Sequence, residues 1–275
     1  FREFAEKVVE EEKKAHSDKL AAKREKEAAE RKAKYGLEDK QVAKIEIINL
    51  KTPEKFGHYT SFSFDVVATL KDGSKISTAN RNEGYLSDYI ISYDTGLVEG
   101  GTLKGGFLSK DKIGLTVSLR YDKTISDTEE IIVTYNSDIT NKWNGTSWSR
   151  GAGESAMNFK IEVKQVKHTE NGSDLLQIRI TNVSQGGKLV DEYKIGVDQT
   201  MHFFCNGGNG GTDDGRGNNG GNGGNLVVIK DPNVKYFNLD YSNRAGRGGK
   251  GANAAYDGRD GRDGTFKEEV RAVKF

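Results

Sequence analysis

The chain has 275 residues, with 42 Lys/Arg against 41 Asp/Glu and a formal net charge of +1. Charge this balanced creates no global field toward nucleic acid or an anionic membrane. The length suits about two domains at ~150 residues each. No apolar run approaches the ~18 residues of a membrane helix, and no secretory signal is visible. The single cysteine, Cys205, excludes an intrachain disulfide. It follows Phe203-Phe204 and reads as a small buried hydrophobe. The chain begins at Phe1, which leaves room for a signal or lipid anchor upstream.

Residues 1–40 hold 12 Lys/Arg and 11 Asp/Glu, no proline, and no glycine before Gly36. The spacing predicts one helix. Glu3–Lys7, Glu10–Lys14, Glu27–Arg31 and Glu30–Lys34 are favourable (i, i+4) pairs, and Gly36 is a natural stop. Phe1, Val8, Ala15, Ala22 and Ala29 recur every seven residues, but Glu11, Asp18, Glu25 and Lys32 occupy the companion positions. That favours a solvated helix over a coiled-coil seam. Phe1, Phe4 and Val8 form an apolar patch at its start that suits docking on a partner. The plainer alternative is a frayed stub.

From Gln41 to 135 the period changes to two. Phe62, Phe64 and Val66 alternate with polar residues, as do Ile113, Leu115, Val117 and Leu119, then Ile131, Val133 and Tyr135. Asp72-Gly73 signals a hairpin with a type I′ turn. These strands predict an immunoglobulin-like β-sandwich. Residues 136–158 are rich in Asn, Ser, Thr and Gly and read as a linker or long loop. It carries both tryptophans, Trp143 and Trp148. Such a pair suits a sugar-stacking platform or a partner hot spot. The reading preferred is that they staple the loop to a neighbouring sheet.

A second β domain spans 159–275. Period two marks Ile161/Val163, Leu176/Ile178/Ile180, Tyr193/Ile195/Val197 and Met201/Phe203/Cys205. Leu226–Ile229, Val234–Tyr241 and Phe266–Phe275 follow as further strands, with a turn at Asp231-Pro232-Asn233.

Two glycine-rich segments, 206–225 and 244–265, interrupt this domain and keep a three-residue beat. They hold 17 of the 34 glycines. A flexible linker sits poorly between strands that read as members of one sheet. A collagen triple helix needs proline, and neither segment contains any. The remaining reading is a bundle of extended, left-handed threefold helices of the polyglycine-II type, whose backbone groups bond sideways to neighbouring helices. Strands alternating up and down in one sheet would send both segments out from one end. That predicts four antiparallel helices turning at Thr212-Asp213-Asp214 and at Ala252–Tyr256. The outer edges would carry Asn209, Asn222, Arg247, Lys250, Arg259, Asp260, Arg262 and Asp263, with the aspartates pairing to Arg259 and Arg262.

The run Gly-Gly-Asn-Gly-Gly twice, a short apolar hairpin, then Gly-Arg-Gly-Gly-Lys-Gly and Asp-Gly-Arg-Asp-Gly resembles the glycine-rich C-terminal modules of predicted envelope lipoproteins in Bacteroidota. More distantly, it is similar to the glycine-rich tips of phage tail-fibre adhesins. The resemblance covers about residues 195–275. It implies a cell-envelope location, at the outer-membrane surface or outside the cell. The lipid-bearing cysteine expected near the start is not in this sequence, and the charged helix and two β regions depart from the phage pattern.

No cluster argues for catalysis, and the chain reads as a non-enzyme without cofactor. His16, His58, His168 and His202 are scattered, and no His-x-x-x-His or Cys-x-x-Cys spacing exists. Gly215-Arg-Gly217-Asn-Asn-Gly220 matches a dinucleotide fingerprint in letters only, since no strand–turn–helix frames it. The calcium β-roll repeat fails at Thr212. Asp213/Asp214 or Asp257/Asp260/Asp263 could gather a cation at a turn. The expected function is a structural subunit or adhesin of the envelope, contacting protein partners through Trp143, Trp148, Asp213, Asp214, Tyr256, Arg259 and Arg262, with Phe1, Phe4 and Val8 as a docking patch. A carbohydrate-binding module and an accessory subunit of an outer-membrane complex are the alternatives, so a glycan is a possible ligand. Nucleic acid is not expected as a partner, and membrane is expected only through an anchor or partner outside this sequence.

Overall fold

The computed structural model describes residues 2–51, 53–58, 60–80, 83–93, 97–99, 102–104 and 111–275. The chain is mainly β with one long N-terminal helix. Helix α1 (Arg2–Tyr35) exposes every described side chain from Lys14 to Glu30, as its charge on all faces requires. Among the described residues, Lys23 pairs with Glu27 at 3.8 Å, Lys26 with Glu30 at 3.9 Å, and Lys32 with Glu38 beyond the helix at 3.8 Å. The helix ends where Gly36 N–H meets the Lys32 carbonyl at 2.7 Å. A Cβ on Gly36 would lie 2.6 Å from that carbonyl oxygen, so close approach explains the glycine. Leu37, 1% exposed, then anchors the helix in the first core, its N–H held by the buried Asp88 carboxylate at 3.1 Å.

The first β region contains β1 (Val42–Ile48), β2 (Ser61–Ser63), β3 (Asp65–Leu70), β4 (Lys75–Ser77), β5 (Tyr89–Tyr93), β6 (Leu97–Glu99), β7 (Thr102–Lys104), β8 (Lys112–Leu119) and β9 (Ser126–Ile132). They form three antiparallel three-stranded sheets, ordered β1-β3-β4, β2-β7-β6 and β5-β8-β9. The alternating residues of β3 and β8 share one core with Leu37, Phe56 and Tyr135. At the hairpin after β3 only Gly73 has positive φ, at +88°. The expected type I′ turn, which needs two such residues, does not form.

The second region contains β10 (Ile139–Lys142), β11 (Phe159–Lys167), β12 (Asp174–Asn182), β13 (Lys188–Gly196), β14 (Thr200–Phe204), the two-residue β15 (Thr212–Asp213) and β16 (Arg216–Gly217), β17 (Leu226–Lys230), β18 (Asn238–Ser242) and β19 (Phe266–Val270). One sheet is ordered β10-β14-β18 and the other β13-β12-β11-β17-β19. Strands β10, β14 and β18 are mutually parallel, as are β11, β17 and β19. Ile139, Met201, Phe203 and Cys205 of one sheet pack with Phe159, Ile161, Leu226 and Val228 of the other in a second core.

This topology corrects two expectations. The strands flanking the glycine segments belong to two sheets rather than alternating within one, because each segment leaves from one layer and returns in the other. Residues 136–158, expected as a linker or long loop, contain strand β10, and from its end residues 143–158 run out and return into β11, making a third excursion beside the two glycine-rich ones. Six extended arms result where four were expected.

The two β regions meet through buried polar groups. The Asp111 carboxylate, with a fully buried side chain, accepts from Lys194 Nζ at 2.6 Å and from Thr169 N–H at 2.7 Å. His168 Nε2 lies 2.8 Å from the Val133 carbonyl, and Gly196 N–H bonds the Tyr135 carbonyl at 2.7 Å. Burial alone would push the Asp111 carboxyl up, but Lys194 and the Thr169 N–H outweigh it and hold the group below its ordinary range. Burial, reinforced by the Asp111 charge, pushes the Tyr135 phenol well above its usual value.

Candidate interaction surface

The three excursions run 143–158, 205–225 and 243–265. Successive N–H groups of the central one point in three directions. Asn206 N–H bonds Asn144 Oδ1, Gly207 N–H bonds the Arg244 carbonyl, and Gly208 N–H bonds the Glu154 carbonyl, each at 2.8 Å. Three residues on, Asn209 N–H goes to Ser147 Oγ at 2.8 Å, Gly210 N–H to the Arg247 carbonyl at 2.8 Å, and Gly211 N–H to the Gly151 carbonyl at 2.9 Å. A pattern that returns every third residue is that of an extended helix with three residues per turn, whose backbone groups are satisfied only by neighbours. The return arm behaves likewise: Gly220 and Gly223 N–H bond the Arg259 and Arg262 carbonyls at 2.9 Å, and Gly221 N–H bonds the Gly208 carbonyl at 2.8 Å.

Glycine is needed wherever an arm faces inward. A Cβ on Gly208, Gly221 or Gly246 would fall onto the carbonyl of Thr146, Glu154 or Gly208 respectively, too close for any side chain. The outward positions instead carry residues with a short acceptor. Asn219, Asn222 and Asn225 accept the N–H groups of Arg259, Arg262 and Thr265 at 2.8–2.9 Å. Asp263, Asp260 and Asp257 accept those of Ala245, Gly248 and Gly251 at 2.7–2.8 Å. This corrects the expected use of the aspartates. They hold backbone, Asp257 also pairs with Lys250 at 2.9 Å, and among the described residues neither Arg259 nor Arg262 has an ion-pair partner.

All three excursions turn at the end remote from the sheets. The first turns at Gly151, φ +106°, and the second at Asp214 and Gly215, φ +45° and +74°, in the hairpin joining β15 and β16. The third turns through a 3₁₀ segment, Ala254–Tyr256, capped by Asn253 Oδ1. The turns bring Asp213, Asp214 and Tyr256 to this end, and the Arg216 guanidinium lies 5.7 Å from the Tyr256 ring centre. Arg259 and Arg262 lie on the face of the return arms. Among the described residues, no three His, Cys, Asp or Glu side chains are grouped to hold a metal ion.

The two tryptophans are not brought together as one platform. Trp143 sits at the base, its ring 5.7 Å from that of Phe159, while Trp148 lies near the turn and is 49% exposed. Five residues apart, they fall on different edges of a three-residue repeat. Phe1 lies outside the described residues, as do the side chains of Phe4 and Val8. The sequence reading missed the first excursion and its acceptors Asn144, Ser147, Ser155 and Asn158. The available signal was the threefold spacing of Asn144, Ser147 and Arg150, which glycine content does not reveal. The chain matches no family model, and neither the curated proteins nor the solved structures gave a match.

Proposed function

We propose that this chain is a non-catalytic protein of the cell envelope, acting as a structural subunit or adhesin. Its glycine-rich bundle is a polyglycine-II cap that holds contact residues away from the β body. The observation that supports this reading is the backbone cross-bonding of three excursions that all turn at one remote end. Such a lattice fixes its side chains without a core of its own, so it suits presentation more than enclosure. Helix α1, whose described side chains from Lys14 to Glu30 are exposed, serves as a spacer. The described residues contain no helix long and apolar enough to cross a membrane.

The test is surface labelling of intact cells that make the natural protein. A membrane-impermeant biotin reagent should label Lys250, the single lysine of the cap, and external protease should remove the chain from whole cells. Recovery of unlabelled, protease-protected protein from the cell interior would refute the reading.

A further inference from the structure

The three outgoing arms lie abreast and build a flat face. Asn144, Asn206 and Arg244 form one transverse row, and Ser147, Asn209 and Arg247 the next. Each row is stitched by side-chain acceptors and backbone donors: Arg244 N–H bonds Asn206 Oδ1 and Arg247 N–H bonds Asn209 Oδ1, both at 2.8 Å. Rows repeat about every 9 Å, three residues at ~3.1 Å each. Arg150 and Lys250 flank the distal end.

The polar character of this face is one-sided. The amide oxygens of Asn144, Asn206 and Asn209 are taken by the lattice. That fixes the amide orientation and leaves the NH₂ groups, which only donate, toward solvent. Arg244 and Arg247 are exposed, and among the described residues neither has an ion-pair partner. The acidic row Asp257, Asp260 and Asp263 holds the N–H groups of Gly251, Gly248 and Ala245, and Asp257 also pairs with Lys250 at 2.9 Å. A net charge near zero therefore conceals a face of donors and cations.

We propose that this face binds an extended anionic polysaccharide carrying carboxylate or sulfate groups. Such a ligand supplies acceptors for the asparagine NH₂ groups and negative charge for Arg244 and Arg247. Arg244 and Arg247 lie in file along one arm, with Lys250, paired to Asp257, one row beyond them, which suits a linear polymer laid along the axis. The rows carry no aromatic ring, the platform on which single-stranded nucleic acid stacks. The lattice orders the donors before binding, so little protein entropy is lost. This deepens the envelope reading above by naming a ligand class.

The full chain should be titrated with heparin, a sulfated polymer, and polygalacturonate, a carboxylated one, with dextran and oligo(dT) as comparisons. Saturable, salt-dependent binding of at least one anionic polysaccharide is expected, with none to dextran. Arg244→Gln with Arg247→Gln should weaken it about tenfold, the equivalent of two exposed charge-assisted contacts of ~0.7 kcal/mol each. Asn209→Asp keeps the lattice acceptor but removes the donors, and should weaken binding with an unchanged melting temperature. Arg259→Gln with Arg262→Gln, on the opposite face, should change it less than about twofold. Absence of binding to both polymers, equal loss from the two faces, or preference for oligo(dT) would overturn the proposal. A surface-labelled protein that binds neither polymer sinks this inference alone, whereas a protein confined to the cell interior sinks the reading beneath it.

Discussion

Gly221→Ala tests the lattice most directly. Gly221 is buried at the centre of the bundle, and a methyl there would overlap the Glu154 carbonyl, with Ser155 N at 2.7 Å. Carbon contacts settle near ~3.5 Å, so the arms must part by on the order of 1 Å. Parting strains three bonds at once: Gly221 N–H to the Gly208 carbonyl, Gly246 N–H to the Gly221 carbonyl, and Gly208 N–H to the Glu154 carbonyl, all at 2.8 Å. At ~1 kcal/mol each, with ~1–3 kcal/mol for overpacking, the cost is about 4–6 kcal/mol. The stiffer unfolded chain of the alanine variant offsets ~0.4–1 kcal/mol of it. A net loss of roughly 3–5 kcal/mol is expected by urea denaturation, with amide exchange of residues 206–225 accelerated. Arg259→Ala, exposed and without an ion-pair partner among the described residues, is the control and should stay within ~0.5 kcal/mol. If Gly221→Ala also stays within ~0.5 kcal/mol, close packing of the arms is refuted.

Asp111→Asn leaves the Lys194 ammonium, 13% exposed, without its counter-charge, and should cost ~3–5 kcal/mol by chemical denaturation. Because the folded-state carboxyl lies below its ordinary value, its contribution is complete above the unfolded pKa of ~3.9 and is lost as pH falls through the folded value. The variant should therefore show a shallower acid limb than wild type, and an identical limb would disprove the linkage. Burial pushes the Cys205 thiol up to about 11. A disulfide reagent at pH 8 should leave native protein unlabelled and label it fully in denaturant, and rapid native labelling would count against the buried site. Deleting residues 1–30 should shift stability by less than ~0.5 kcal/mol, because the described side chains from Lys14 to Glu30 are exposed. Leu37→Ala should instead cost ~2–5 kcal/mol. Equal effects on the denaturation midpoint would refute the placement of the helix anchor.

Much of the chain was legible from periodicity because periodicity reports burial. The helix, the alternation in β3, β8 and β14, and the three-residue beat of the glycine segments each follow from local geometry. Side chains of the β10, β14 and β18 sheet alternate every two residues and then every three, as at Thr140, Lys142, Asn144 and Ser147, which marks where strand becomes threefold helix. Pairing partners are another matter. Parallel β14 and β18 and parallel β11, β17 and β19 are joined through excursions, and no local signal distinguishes that from an antiparallel meander.

The first excursion shows where sequence and tertiary structure divide. An inner arm is surrounded by backbone and needs glycine at two of every three positions, so 206–225 announces itself. An edge arm has solvent on one side and needs glycine only where it faces inward, as at Gly145 and Gly153, whose added Cβ atoms would meet Glu154 and Gly208. Its remaining positions accept Asn, Ser, Thr, Trp and Arg, so 143–158 looks like an ordinary polar loop. Sequence alone determined that the chain is mainly β, that its first helix is solvated, and that its glycines need close neighbours. Only the tertiary structure decided which neighbours those are, because an extended helix without internal hydrogen bonds has no stability apart from the chains beside it.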